Sequence, residues 1–201
     1  MEPYLAHSEW IDWQHPAVLT KARELTDGAS DAQQVAQRCF EFVRDRIRHS
    51  WDYRDDPFNP VTCRASDVLL HATGYCYAKS HLLAALLRAN GIPAGLCYQY
   101  LSLEGGGFPY TLHGLNTVHL ESVGWYRIDP RGNKPGVDAQ FCPPLERLAF
   151  PADDRVGERD YATNLPEPLP EVVGLLTRNA TVREVYADLP ILAEAVVGPA
   201  R

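Results

Sequence analysis

One stretch constrains this chain more than any other: "CYAKSHLLAALLRAN", from Cys76 to Asn90, about four helical turns with scarcely a polar face. Leu82, Leu83, Leu86 and Leu87 demand cover from other elements. Only Tyr77, His81, Ala84 and Arg88 form an arc of more polar character at helical spacing. Gly91 and Pro93 supply the stop. A helix this apolar belongs inside a fold, with the rest of the chain arranged around it.

The helix opens on a cysteine. Cys76 follows a Thr73-Gly74 step that reads as flexible, and it projects with Ser80, Leu83 and Leu87 toward the packed side. Two readings are open. Free cysteine is among the most buried residue types and usually just fills space. The unpaired N–H groups and positive dipole end of a helix start also favour a thiolate, which makes a nucleophile. The other cysteines, at 39, 63, 97 and 142, bring the total to an odd five and form no Cys-x-x-Cys pair, so neither a disulfide framework nor a zinc site is expected. Cys39 shares a helical period with Val35, Phe42, Val43 and Ile47 and reads as core, as does Cys97 within a strand.

With 201 residues, 45% of them hydrophobic and 22% charged, the chain suits one soluble domain. A net charge of −7 and the lack of a basic run argue against nucleic acid or an anionic membrane as partner. No apolar run approaches the roughly eighteen residues of a membrane span, and the start lacks the layout of a secretory leader, which makes the cytoplasm the expected location. Helices are expected over "HPAVLTKARELTDG" and "SDAQQVAQRCFEFVRDRIRHS", the second opened by a capping box of Ser30 and Gln33. A loop rich in Asp, Pro and aromatics follows, then a short helix capped by Ser66. Past Pro93, "AGLCYQYLSLE", "LHGLNTVHLES" and "GWYRIDP" have strand character, with "GGGFPYT" as a turn or flap. "FCPPLERLAFP" reads as a proline pair before a short helix, and the tail as a proline-rich linker with two short helices packed on the body. The chain thus divides into a helical part over 1–90, a sheet part over 91–150 and a C-terminal extension over 151–201. Together they make a single α+β domain with the Cys76 helix packed on an antiparallel sheet.

A cysteine nucleophile needs a base, and the base needs a third group to fix its tautomer. His113 and His119 are the candidate bases and Asp129 the candidate third group. His113 and Asp129 oppose each other directly when His119 pairs with Val123 across a Leu120-Glu121-Ser122 turn, and other odd-length turns keep them on one face. His119 shares that face but stands six residues along the strand, roughly 20 Å away, so His113 is the expected base. The Cys76 N–H would serve a developing oxyanion, with a second donor from the preceding loop or from Tyr53. Trp51, Tyr53 and Trp125 are candidates for the wall of a substrate groove, and Asp55-Asp56 for attracting a cationic group.

The order "GYC" and "SHLLAALLRANGIPAG", then His113, then "GWYRIDPRG" resembles the transglutaminase-like superfamily over roughly Ala65 to Gly132. The resemblance implies a papain-like α+β core with Cys76 as nucleophile, His113 as base and Asp129 as its orienter. The implied activity is cysteine-dependent acyl transfer on an amide or peptide carbonyl through a thioester. Hydrolysis, as in a protease or amidase, is favoured over transamidation to an amine acceptor. His113 is followed by Gly114-Leu115 where the family usually has Ala-Trp, and Asp129-Pro130 by Arg131 where Thr is common, which points to a branch with its own substrate pocket. No cofactor and no metal are expected, since nothing resembles an EF-hand loop that would serve the calcium dependence of animal transglutaminases. Two alternatives stand beside this reading: a non-catalytic binding module that keeps the fold, and a transferase of small acyl groups from a coenzyme A thioester, for which no basic donor pocket is evident.

Overall fold

Enclosure of the apolar helix dictates the architecture. The structure is a computed structural model that describes residues 1–191. Helices α1 (Pro16–Thr26), α2 (Ala32–Arg46) and α3 (Ala65–His71) pack around α4 (Cys76–Ala89), whose other side lies on a sheet. Two short strands, β1 (Arg48–His49) and β2 (Thr73–Gly74), pair in parallel just before α4. The step that reads as flexible in sequence is therefore held by main-chain hydrogen bonds. The main sheet is antiparallel, in the order β5-β4-β3-β8, from β3 (Ala94–Ser102), β4 (Tyr110–Leu120), β5 (Gly124–Ile128) and β8 (Arg159–Leu165). A separate hairpin joins β6 (Gln140–Cys142) to β7 (Leu145–Arg147), and α5 (Pro170–Arg178) and α6 (Val182–Ala187) close the described chain. One core runs from Ile11 to Val185, so α5 and α6 share it. Among the described residues no helix is long and apolar enough to cross a membrane.

Every residue of α4 from Cys76 to Arg88 is buried, including the arc that looked polar. Main-chain carbonyls make this possible. His81 Nδ1 meets the Cys63 carbonyl at 2.8 Å, and the Arg88 guanidinium donates to Ala94, Ala6 and Pro166. Lys79 Nζ donates to Ile47, and Ser80 Oγ to Cys76 at 2.8 Å. A buried polar group that is hydrogen-bonded costs little, and such distant partners leave no trace in local sequence.

Several local expectations are corrected for similar reasons. The cap of α2 is Asp31, whose Oδ1 accepts from the Gln34 N–H at 2.8 Å while Gln34 Oε1 accepts from the Ser30 N–H, one residue later than the Ser30–Gln33 box. Ser66 does not cap α3, which starts at Ala65. Its hydroxyl and N–H are both taken by Asp12, 54 residues away. Pro143 and Pro144 turn the β6–β7 hairpin rather than precede a helix, and no Ser, Thr, Asp or Asn stands before Leu145 to start one. Within the C-terminal extension, a strand that hydrophobic patterning does not predict, β8, forms the sheet edge beside β3. Its polar sequence, "RDYATNL", suits an edge strand and hides it from hydrophobic patterning. The expected helices of the tail are α5 and α6, while the stretch beyond 191 lies outside the described residues.

Candidate active site

The β4–β5 turn sets the geometry. His119 pairs with Trp125 and Leu120 with Gly124, so the three turn residues are Glu121, Ser122 and Val123. Gly124 adopts φ +83°, a left-handed conformation that glycine takes without steric cost and that closes a three-residue hairpin loop. The register is therefore two residues away from direct opposition of His113 and Asp129. Parity is kept, and the two side chains meet diagonally across the ladder. His113 Nε2 lies 2.8 Å from Asp129 Oδ2.

Asp129 is fully buried, and three N–H groups converge on its two oxygens. Oδ2 takes His113 and the Ala149 N–H at 3.1 Å, and Oδ1 takes the Arg131 N–H at 3.0 Å. Burial opposes its ionisation, but the charge of His113 and these hydrogen bonds win, so its pKa lies below the ordinary 3.8. Burial likewise opposes the charge on His113. The charge of Asp129, the neighbouring Cys76 and the hydrogen bond to Asp129 outweigh it and raise the imidazole from 6.5 to about 10. Because Nε2 is engaged by Asp129, Nδ1 is the ring nitrogen left for the Cys76 sulfur.

Cys76 stands at the first position of α4, which no side chain caps. Its neighbour across the gap is Gly114, whose N–H points at Sγ from 3.5 Å. A Cβ on residue 114 would come within 2.8 Å of Tyr77 Cδ1 and 3.2 Å of Tyr77 Cα, so only glycine lets β4 approach the start of α4 this closely. That accounts for Gly114 where the resemblance leads one to expect alanine. Arg131, the other departure, is 5% exposed and grips Asp52 through both terminal nitrogens, at 2.7 and 2.9 Å. Burial of Asp52 is outweighed by its bonds to Arg131 and Lys134, and its pKa falls to about 2.

The sulfur opens into a cleft of about 440 Å³ with mainly apolar walls. Trp51 lines it, stacked on Tyr186 of α6 at 3.7 Å and 7°. Leu189 and Phe150 add further wall. The Tyr75 hydroxyl donates to the Val182 carbonyl at 2.7 Å and fixes α6 over the site. Two expected groove residues lie elsewhere. Trp125 stands four residues before Asp129, roughly 13 Å back along β5, and packs on Tyr4 and His119. Tyr53 is 47% exposed outside the cleft with the Arg48 guanidinium over its ring, so it also supplies no donor to the site. Asp55 and Asp56 are paired with Arg183 and Arg48. Sequence reasoning missed Tyr186, Leu189 and His49, which line the cleft from segments with no periodicity that points there.

A helix-start cysteine and a buried His–carboxylate pair thus stand together on an α+β core with an antiparallel sheet. The sequence pattern of the transglutaminase-like superfamily matches residues 20–130, more than half of the chain, and the chain belongs to that superfamily. Its members typically carry out cysteine-dependent acyl transfer. Among solved structures, the chain is similar to a protein from Cytophaga hutchinsonii provisionally described as a cysteine protease, with TM-score 0.52 and 17% identity over 65% of this chain and 41% of that one. It is also similar to the periplasmic domain of TgpA from Pseudomonas aeruginosa, with TM-score 0.46 and 21% identity over 63% and 45%. A transglutaminase from red sea bream gives TM-score 0.46 and 14% identity over 60% and 27%. The chain spans less than half the length of each of these. Individually curated proteins give no significant match.

Proposed function

We propose that the protein is a cysteine amidase or peptidase in which Cys76, His113 and Asp129 act as a triad. The observation that carries this reading is the buried 2.8 Å His113–Asp129 pair beside a sulfur at an uncapped helix start. A histidine held positive by Asp129 stabilises a thiolate opposite it. The thiolate attacks the substrate carbonyl, the S–C bond forms and the carbonyl pair moves to oxygen. His113 then passes its proton to the departing nitrogen as the C–N bond breaks, leaving a thioester. Neutral His113 takes a proton from water, whose oxygen attacks the thioester. The acid leaves, and thiolate and imidazolium are restored.

Water is the acceptor best supported by the cleft. Among the described residues that line it, the one carboxylate is that of Glu158, which already accepts the Ser102 and Asp153 N–H groups through its two oxygens, at 2.9 and 3.0 Å, and is thereby poorly placed to steer a cationic amine. The test is turnover of a panel of peptides and simple amides by the wild type and Cys76→Ala, with and without an added primary amine. Acid release that depends on Cys76 and persists with amine present is expected. Amine incorporation as the dominant product would contradict hydrolysis, and turnover by Cys76→Ala would contradict the nucleophile.

A further inference from the structure

His49 is drawn to the site by the β1–β2 pairing, which sets it opposite Gly74, two residues before Cys76. Its ring packs edge-on to Tyr75 at 5.6 Å and lines the cleft that holds the sulfur. Nδ1 is shut away from solvent and has no hydrogen-bond partner among the described residues. Asp52 Oδ2 lies 4.0 Å from it, beyond hydrogen-bond reach. That carboxylate is committed to Arg131 and to Lys134. Nε2 is not sealed in this way. A buried orphan N–H is rarer and costlier than an orphan lone pair, so the proton belongs on Nε2, at the cleft.

Burial and the positive charges of Arg131, Lys79 and His113 outweigh Asp52 and hold this imidazole well below its ordinary 6.5. It is a neutral donor, unsuited to replace His113 as base. The Cys76 N–H, at the start of α4 with no side-chain cap, has no intrahelical acceptor and is the second donor. We propose that His49 is a catalytic residue whose Nε2–H, together with the Cys76 N–H, holds the carbonyl oxygen of the substrate as negative charge develops there. This rests on the reading of Cys76 as nucleophile. It also replaces Tyr53 as the second donor, since Tyr53 lies outside the cleft.

Two reactions at the same sulfur separate this role from others. Acetylation by p-nitrophenyl acetate forms an S–C bond while the carbonyl pair moves to oxygen, and collapse expels p-nitrophenolate with the C–O pair. Alkylation by iodoacetamide displaces iodide directly and develops no oxyanion. Both are followed at Cys76 by peptide mass spectrometry, so reaction at the partly exposed Cys142 does not interfere. His49→Phe is expected to slow acetylation about 10²- to 10³-fold and to leave alkylation unchanged. Equal slowing of both, or unchanged acetylation, would overturn the assignment. Should His49→Phe not fold, the intact chain carrying ¹⁵N-histidine decides. Acetaldehyde adds to Cys76 as a hemithioacetal, and the His49 Nε2–H resonance, assigned with His49→Gln, is expected to move downfield. A stationary resonance would overturn the assignment. His113→Ala serves as the separate control. If it slows neither reaction the triad itself fails, whereas a null result confined to His49 rejects only this inference.

Discussion

Replacing Asp129 by asparagine tests the buried pair at nearly constant volume. Three donors, from His113, Arg131 and Ala149, meet two carboxylate oxygens, and an asparagine offers one oxygen and an NH2 group. At least one N–H must then face another donor in a fully buried site, at a cost of about 1–3 kcal/mol. The lost charge adds to this, since removing one partner of a buried ion pair costs about 3–5 kcal/mol in total. For a chain of this size that is a Tm drop of roughly 6–20 °C at about 2–4 °C per kcal/mol. The drop should depend on pH with a definite sign. His113 is raised from 6.5 to about 10, so its contribution is complete below 6.5 and fades as pH rises toward 10. Asp129 lies below 3.8, so its contribution is present above 3.8 and is lost at lower pH. Thermal unfolding of both proteins across this range is the assay, and the gap should be widest between about pH 4 and 6.5. A gap under about 1 kcal/mol, or one that widens toward pH 10, would refute the buried pair as described.

Other substitutions sort chemistry from packing. Cys76→Ala should abolish acetylation at that site with little change in Tm, whereas Cys39→Ala, deep in the core, should cost about 1–3 kcal/mol and leave Cys76 acetylation intact. Loss of acetylation in folded Cys39→Ala would show the wrong thiol was chosen. His119→Ala should spare the reaction, because its ring packs on Trp125 at 5.4 Å at the turn end of β4. Tyr186→Ala removes the stack on Trp51, worth about 0.5–1.5 kcal/mol beyond burial, and should raise KM for amides with aromatic side chains far more than it lowers kcat. A fall confined to kcat would place Tyr186 in the chemistry instead of the wall.

The parts of this fold legible in sequence are those governed by local physics. The stop at Gly91, the period of the leucines and the cysteine at the helix start all follow from residues within one or two turns. His113 and Asp129 could be put on one face because parity survives any odd-length turn, even though the register differs by two residues. What sequence could not give depends on distant partners. Arg88 is buried because Ala6, Ala94 and Pro166 turn carbonyls toward it, and Ser66 is diverted from capping by Asp12. Trp51 and Trp125 are both aromatic residues near the expected site. Only the docking of α6 against Trp51, and of Tyr4 against Trp125, separates a cleft wall from a remote packing residue.

The central claim is that Cys76 carries the acyl group. It is tested most directly by acid-quenching the enzyme during turnover of an amide from the panel and mapping the covalent adduct. An acyl mass on the peptide containing Cys76, released by hydroxylamine and lost in Cys76→Ala, is the predicted result. Product formation with Cys76 unmodified under every quench, or an acyl group on another residue, would contradict it.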